Sequence, residues 1–317
     1  GSEYTDWAYI DAETAMPIVR SFRTATRTSN SLTLSWNKNS TTDGYIVEQY
    51  KGGKWSRIAK TSSASAVDIT VKSLSAGTSY RFRIKVYKGS KSGNYVYLCA
   101  DTLPTVVSGF KRSDRSSSTV TLNWNRNTSA TGYVIQRYKN EKWTDVTVIR
   151  NNSVTSYKVS GLAASTTHKF RICAYKTTDN TTSYSGYKNV TANTLPGNVS
   201  GFTCSGKTSN TITLKWDKNT SALGYIIEQY TNGKWVRLTK LTSADKVSCS
   251  IVKLSAGTSY KFRIKTYKFF GKNALYSGYS TVTALTTPKN IGGLKYTKRT
   301  DSTVTLNWNK NSAATGY

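Results

Sequence analysis

The chain offers few groups able to do covalent or acid–base chemistry. It holds one histidine, His168, and four cysteines, Cys99, Cys173, Cys204 and Cys249, which form no CxxC pair and recur at no equivalent place. Zinc ligation or a repeated disulfide framework would show one set per repeated unit, so neither is expected. Acids number 16 against 45 Lys and Arg, and Glu48 and Glu228 are answered at the intermediate position by Gln136. A two-carboxylate mechanism would lose a member in the middle of the chain, so neither catalysis nor a cofactor is expected. Gly52-Gly53 and Gly292-Gly293 read as turns, not phosphate loops. What the sequence carries in quantity is cations beside rings: Arg81 and Arg83 flank Phe82, Lys169 and Arg171 flank Phe170, and Lys261 and Arg263 flank Phe262. Such groups do non-covalent work on anions and on flat faces.

These triplets sit inside a phrase that recurs. LSAGTSYRFRIKVYK at 74–88 returns as LSAGTSYKFRIKTYK at 254–268, with LAASTTHKFRICAYK between them. Trp36, Trp124, Trp216 and Trp308 are separated by 88, 92 and 92 residues, and Trp55, Trp143 and Trp235 keep the first two of those steps. A unit of this length is a small domain with its own core, not a solenoid repeat that must stack to bury one. The formal charge of +29 is spread evenly: 14 Lys and Arg against 4 acids over 18–104, 13 against 4 over 105–196, and 13 against 3 over 197–288. The positive charge belongs to the folded units, which suits an anionic partner and does not bear on fold. No run of 18 apolar residues is present to cross a membrane as a helix.

Alternation supplies the elements that must hold the triplets. LTLSW at 32–36 buries Leu32, Leu34 and Trp36 on one face and recurs as VTLNW, ITLKW and VTLNW, the period of a half-buried strand. GYIVEQY at 44–50 is the next strand, and KGGKW and TNGKW supply the Gly-Gly and Asn-Gly chemistry of a tight hairpin. VDITVKSL sets Ile69, Val71 and Leu74 on one side, while YRFRIKVY places Tyr80, Phe82, Ile84 and Val86 inward and Arg81, Arg83 and Lys85 outward. Units end near Pro104, Pro196 and Pro288. About seven short strands in roughly 90 residues, with turn signals between them and no helical period, predict an all-β fold of antiparallel sandwiches.

The Trp of LTLSW, the Tyr-x-Val of GYIVEQY, the Trp of KGGKW and the Leu-x5-Tyr of LSAGTSY together resemble the fibronectin type III family, from about residue 18 to the end. The resemblance implies tandem seven-stranded, immunoglobulin-like sandwiches, with Leu74 and Tyr80 forming the corner between strands E and F and the phenol bonding to nearby backbone. His168 fills that tyrosine's place in the second unit and reads as structural, since an imidazole still makes one hydrogen bond. The prolines usual after the strand-B Trp are missing, and there is no Arg-Gly-Asp triplet. Cys249 reads as a core residue and Cys173 as outward-facing on strand F. A Cys204–Cys249 bridge is not expected with strand B between them.

Alternation aims Tyr50, Tyr138 and Tyr230 away from the core, close to Trp55, Trp143 and Trp235, with Arg81, Arg83, Lys169, Arg171, Lys261 and Arg263 alongside. This face is the candidate ligand-binding surface. The plainer alternative is a layer of rings shielded by Arg and Lys stems. Like charges two residues apart on a strand stand about 6.6 Å apart and repel by roughly 0.6 kcal/mol in water, so the ladder needs no ligand to persist. The expected organisation is a leader or the end of an upstream region at 1–17, repeats at 18–104, 105–196 and 197–288, and the truncated start of a fourth at 289–317. Pro-bearing joints would make this an extended, semi-rigid array. The expected function is a non-catalytic module of a secreted or surface-attached bacterial protein, holding an anionic glycan or cell-wall polymer or a host surface protein. The alternative is a passive spacer in a larger carbohydrate-active or cell-wall protein. Nucleic acid is expected to bind only non-specifically, with no membrane insertion and a monomer within a longer chain.

Overall fold

A computed structural model of the chain describes residues 15–179 and 181–317, so the expected leader at 1–17 lies almost wholly outside the described residues. The first repeat runs through β1 (Arg23–Arg27), β2 (Leu32–Ser35), β3 (Gly44–Lys51), β4 (Lys54–Lys60), β5 (Asp68–Val71), β6 (Ser79–Lys88), β7 (Lys91–Ser92) and β8 (Val96–Asp101). Strands β1-β2-β5 make one antiparallel sheet; β4-β3-β6-β7, with β8 also on β6, make the other. The two-residue period decides which side of each strand stays dry. Leu32, Leu34 and Trp36 meet Tyr45, Val47, Phe82, Ile84 and Val86 in one core. Each side chain of this size contributes about 1.5–3 kcal/mol when buried.

The second repeat has β9 (Lys111–Arg115), β10 (Val120–Asn123), β11 (Gly132–Lys139), β12 (Lys142–Ile149), β13 (Ser156–Val159), β14 (Thr167–Thr178), β15 (Thr181–Tyr184) and β16 (Lys188–Asn193). The third has β17 (Thr203–Lys207), β18 (Ile212–Lys215), β19 (Gly224–Thr231), β20 (Lys234–Leu241), β21 (Ser248–Ile251), β22 (Ser259–Phe270), β23 (Asn273–Tyr276) and β24 (Ser280–Leu285). The same pairings recur, and a last pair, β25 (Lys295–Arg299) with β26 (Val304–Asn307), repeats β1 and β2. The chain gathers into two compact units. One holds the first repeat and most of the larger sheet of the second; the other holds the smaller sheet of the second, the third repeat and the last strand pair.

Two departures from plain alternation shape the candidate face. The hairpin of β3 and β4 carries a bulge between Val47 and Glu48, matched at Ile135/Gln136 and Ile227/Glu228. The extra residue reverses parity, so Lys60 lies opposite Ile46 on the same side as Trp55 and Arg57, while Ala59 turns to the core. The second departure is on the far side of β6, where the chain that ends the repeat pairs in two pieces: β7 pairs with β6 up to Tyr87, and β8 resumes at Ile84. The break falls on residues 93–95 and recurs before β16 and before β24, each time containing a tyrosine: Tyr95, Tyr187 or Tyr279.

The corner forms in the first and third repeats. The Tyr80 hydroxyl accepts from the Ser75 amide at 2.7 Å, and that of Tyr260 from Ser255 at 2.8 Å. His168 is buried, and its Nε2 lies 3.4 Å from the carbonyl of Ala163, so the imidazole meets the opposite backbone group of the equivalent residue. Glycine opens β3, β11 and β19 for a steric reason. A Cβ on Gly44, Gly132 or Gly224 would stand 2.2, 1.9 or 2.0 Å from the carbonyl oxygen of Thr61, Ile149 or Leu241.

All four cysteines are free. Cys204 and Cys249 flank Leu214 from its two sides, with β18 between them. Cys249 packs on the third core. Cys173 lies on the outward side of β14, as expected, and is there fully buried, against Val134 and Tyr175. Burial pushes its thiol pKa up, and the Tyr187 hydroxyl hydrogen-bonds to it.

Candidate functional site

The larger sheet of each repeat turns its ring-bearing side away from the core. In the first repeat Tyr50 and Trp55 sit opposite one another across the hairpin, ring centres 5.3 Å apart. The Arg81 guanidinium lies 4.1 Å over the Tyr50 ring. Arg83 enters a slot between Trp55 at 4.5 Å and Tyr95 at 3.8 Å. At the slot's base its Nε donates to Glu48 at 2.6 Å. The third repeat reproduces this nearly atom for atom: Tyr230 and Trp235 are 5.2 Å apart, and Arg263 sits 4.4 Å from Trp235 and 3.7 Å from Tyr279. Its Nε donates to Glu228 at 2.5 Å. Lys261 occupies the place of Arg81 and is exposed.

The predicted cations therefore divide into two kinds. Arg83 and Arg263 are drawn in, their side chains 20% and 21% exposed, beside carboxylates 15% and 13% exposed. Burial pulls the Arg83 pKa down, yet the hydrogen bonds it donates to Glu48 and Tyr97 and the nearby negative charge hold it above its ordinary value. A guanidinium stacked on two rings and paired with an acid mainly orders the face, and its capacity to meet a further anion is largely used. Arg81 and Lys261 stay exposed; Arg57 and, through the bulge, Lys60 lie beside the first, and Arg237 and Lys240 beside the third. Lys85 and Lys265 lie 4.8 and 4.7 Å over Tyr95 and Tyr279.

The second repeat keeps the rings and changes the charges. Tyr138 and Trp143 are 5.2 Å apart, and Arg171 stacks 4.4 Å from Trp143 and 3.8 Å from Tyr187. Its Nε donates to the Gln136 oxygen at 2.7 Å, and the Gln136 amide donates to Asp145 at 2.7 Å. The acid has moved one strand over, onto the position of Arg57 and Arg237. Lys169 is exposed on β14.

All twelve residues named from the sequence thus lie on this side of the three larger sheets. Alternation missed the tyrosines of the strand break, because that stretch has no two-residue period. Their spacing was a usable signal: Tyr95, Tyr187 and Tyr279 are 92 residues apart. It missed Lys60 and Lys240 because the bulge inverts the parity that would have turned them inward.

The family model of the fibronectin type III domain matches residues 17–96, 105–186 and 197–283. Among curated proteins, exoglucanase B of Cellulomonas fimi is 25% identical over 68% of this chain, and chitinase A1 of Niallia circulans is 32% identical over 40% of it. Human receptor-type tyrosine-protein phosphatase H is 26% identical over 94%. The matches span about a fifth to a quarter of these relatives: 20%, 19% and 26% of their lengths. Among solved structures, a two-domain fibronectin type III segment of chicken tenascin covers 56% of this chain and all of its own, at 18% identity and a TM-score of 0.40.

Proposed function

Since the chain belongs to the fibronectin type III family, whose modules are generally non-catalytic, we propose that it is a non-catalytic binding segment of a larger extracellular protein. Its ligand is an anionic polysaccharide, held on the outer faces of the first and third repeats. The observation that supports this is the recurrence of one arrangement: a ring stack locked by a half-buried guanidinium, rimmed by exposed Arg57, Lys60 and Arg81 in one repeat and by Arg237, Lys240 and Lys261 in the other. The stack sets a flat platform in advance, and the rim supplies charge that a sugar acid can meet without displacing an acid already paired to it. With 45 cations and 16 acids, one-to-one pairing would still leave 29 cations without an acid.

The test is retention of the intact chain on an immobilised polyuronate at physiological salt. A variant with Arg57, Arg81, Arg237 and Lys261 changed to Glu is expected to elute without retention. Equal retention of variant and wild type refutes the site. A wild type that never binds leaves the second reading, a semi-rigid spacer. Two observations favour that reading: the guanidinium stacks would hold the face together with no ligand, and bacterial polysaccharide-degrading relatives match only over a fraction of their length.

A further inference from the structure

At three positions where the first and third repeats carry cations, the second carries none. Arg57 and Arg237 correspond to Asp145, Lys60 and Lys240 to Val148, and Lys85 and Lys265 to Cys173. The middle change matters most to shape. Lys60 and Lys240 lay their ammonium groups 4.4 and 4.6 Å over the rings of Tyr87 and Tyr267. Over the matching Tyr175 stands the shorter Val148, and a hollow of about 600 Å³ opens there, walled by Val134, Val148, Tyr175, Tyr184 and Tyr187. That volume lies within the usual range of small-ligand sites, about 300–1,000 Å³.

We propose that this hollow is a separate binding site for an uncharged pyranose oligosaccharide, at a place that Lys60 and Lys240 occupy in the first and third repeats. A sugar ring presents an apolar C–H face and a girdle of hydroxyls, and it needs a flat apolar wall beside groups that both donate and accept. Tyr184 and Tyr187, 52% and 42% exposed, supply rings at the rim. Gln136 and Asp145 are held in place by the 2.7 Å bonds that link Arg171, Gln136 and Asp145 in a row, so an acceptor is oriented before a ligand arrives. Arg150 and the hydroxyls of Thr177 and Thr182 complete the lining. Charge argues for a neutral ligand. An anion would face Asp145, and a cation would face Arg150 and Arg171. The inference stands independently of the anionic-polymer reading, because it uses a different repeat and different residues.

The experiment titrates the intact chain with cellohexaose, chitohexaose and mannohexaose by calorimetry, using wild type, Tyr184→Ala and Val148→Lys. Val148→Lys restores the lysine that folds normally at this place as Lys60 and Lys240, so its effect reports on the hollow and not on folding. At least one hexasaccharide is expected to bind wild type, insensitively to salt, and to lose about tenfold or more with either variant. The Arg57, Arg81, Arg237 and Lys261 charge-reversal variant should bind it unchanged. No binding of any of the three sugars to wild type overturns the proposal, and so does binding by Val148→Lys and Tyr184→Ala that equals that of wild type. Loss in the charge-reversal variant alone would assign neutral sugars to the cationic faces instead.

Discussion

Replacing Arg83 by Ala removes a group that the structure engages on three sides. Its guanidinium faces Trp55 and Tyr95, each contact contributing about 0.5–1 kcal/mol when partly exposed. Its bond to Glu48 is charge-assisted and contributes about 1.5–3 kcal/mol. These contributions share one side chain and cannot be added in full, and water can reach the vacated slot. A loss of about 2–3 kcal/mol is expected, part of it from a half-buried Glu48 carboxylate left without its partner. Arg83→Lys keeps the charge but lacks the Nε donor and the flat stack, and should cost about 1–2 kcal/mol. Glu48→Gln should cost only about 1 kcal/mol, because Gln136 holds Arg171 in the same geometry at 2.7 Å. The assay is native-state hydrogen exchange of the intact chain, following peptides from β3, β4 and β6. A change below about 0.5 kcal/mol for Arg83→Ala would refute the claim that the drawn-in arginines hold the face.

Tyr260→Phe should destabilise the third repeat by about 1 kcal/mol, the contribution of its 2.8 Å bond from Ser255, read as faster exchange in β22. Gly132→Ala should cost about 3 kcal/mol or more, since the added Cβ would meet the Ile149 carbonyl at 1.9 Å; a thermal melt that leaves the second repeat unshifted would contradict this. Burial opposes ionisation of Asp101, but hydrogen bonds from Thr178, Ser79 and Thr181 and the charge of Arg27 win, leaving its carboxyl below the ordinary value. A depressed carboxylate adds stability above its unfolded pKa and loses it as pH falls through the folded value, so exchange in β8 and β15 should rise below about pH 4. Asp101→Asn should remove that acid-dependent step, and an unchanged step in the variant would show that another group causes it.

Much of this molecule was legible because the two-residue period is strict where two apolar layers must meet. Leu32, Leu34, Phe82, Ile84 and Val86 were placed inward by alternation, and each is fully buried. Tyr80 stands at the corner that the family resemblance implied, and Tyr260 makes the same bond in the third repeat. The site was less legible, since side and exposure are different properties. Alternation put Arg81 and Arg83 on one side alike, but only Arg83 has a ring on each flank and an acid beneath it. Cys173 shows the same limit, being outward by parity and buried by the neighbours that cover it. Irregular backbone hid the rest, at the bulge that turns Lys60 outward and at the strand break that carries Tyr95.

The account's central claim is that an anionic polysaccharide lies on the ring-bearing sheets of the first and third repeats. It is tested most directly by comparing hydrogen exchange of the intact chain free and saturated with a soluble polyuronate. The prediction is slowed exchange in β3, β4 and β6 and in β19, β20 and β22, with β1, β2 and β5 and β17, β18 and β21 unchanged. Protection confined to the smaller sheets, or none anywhere under saturating polymer, would contradict it.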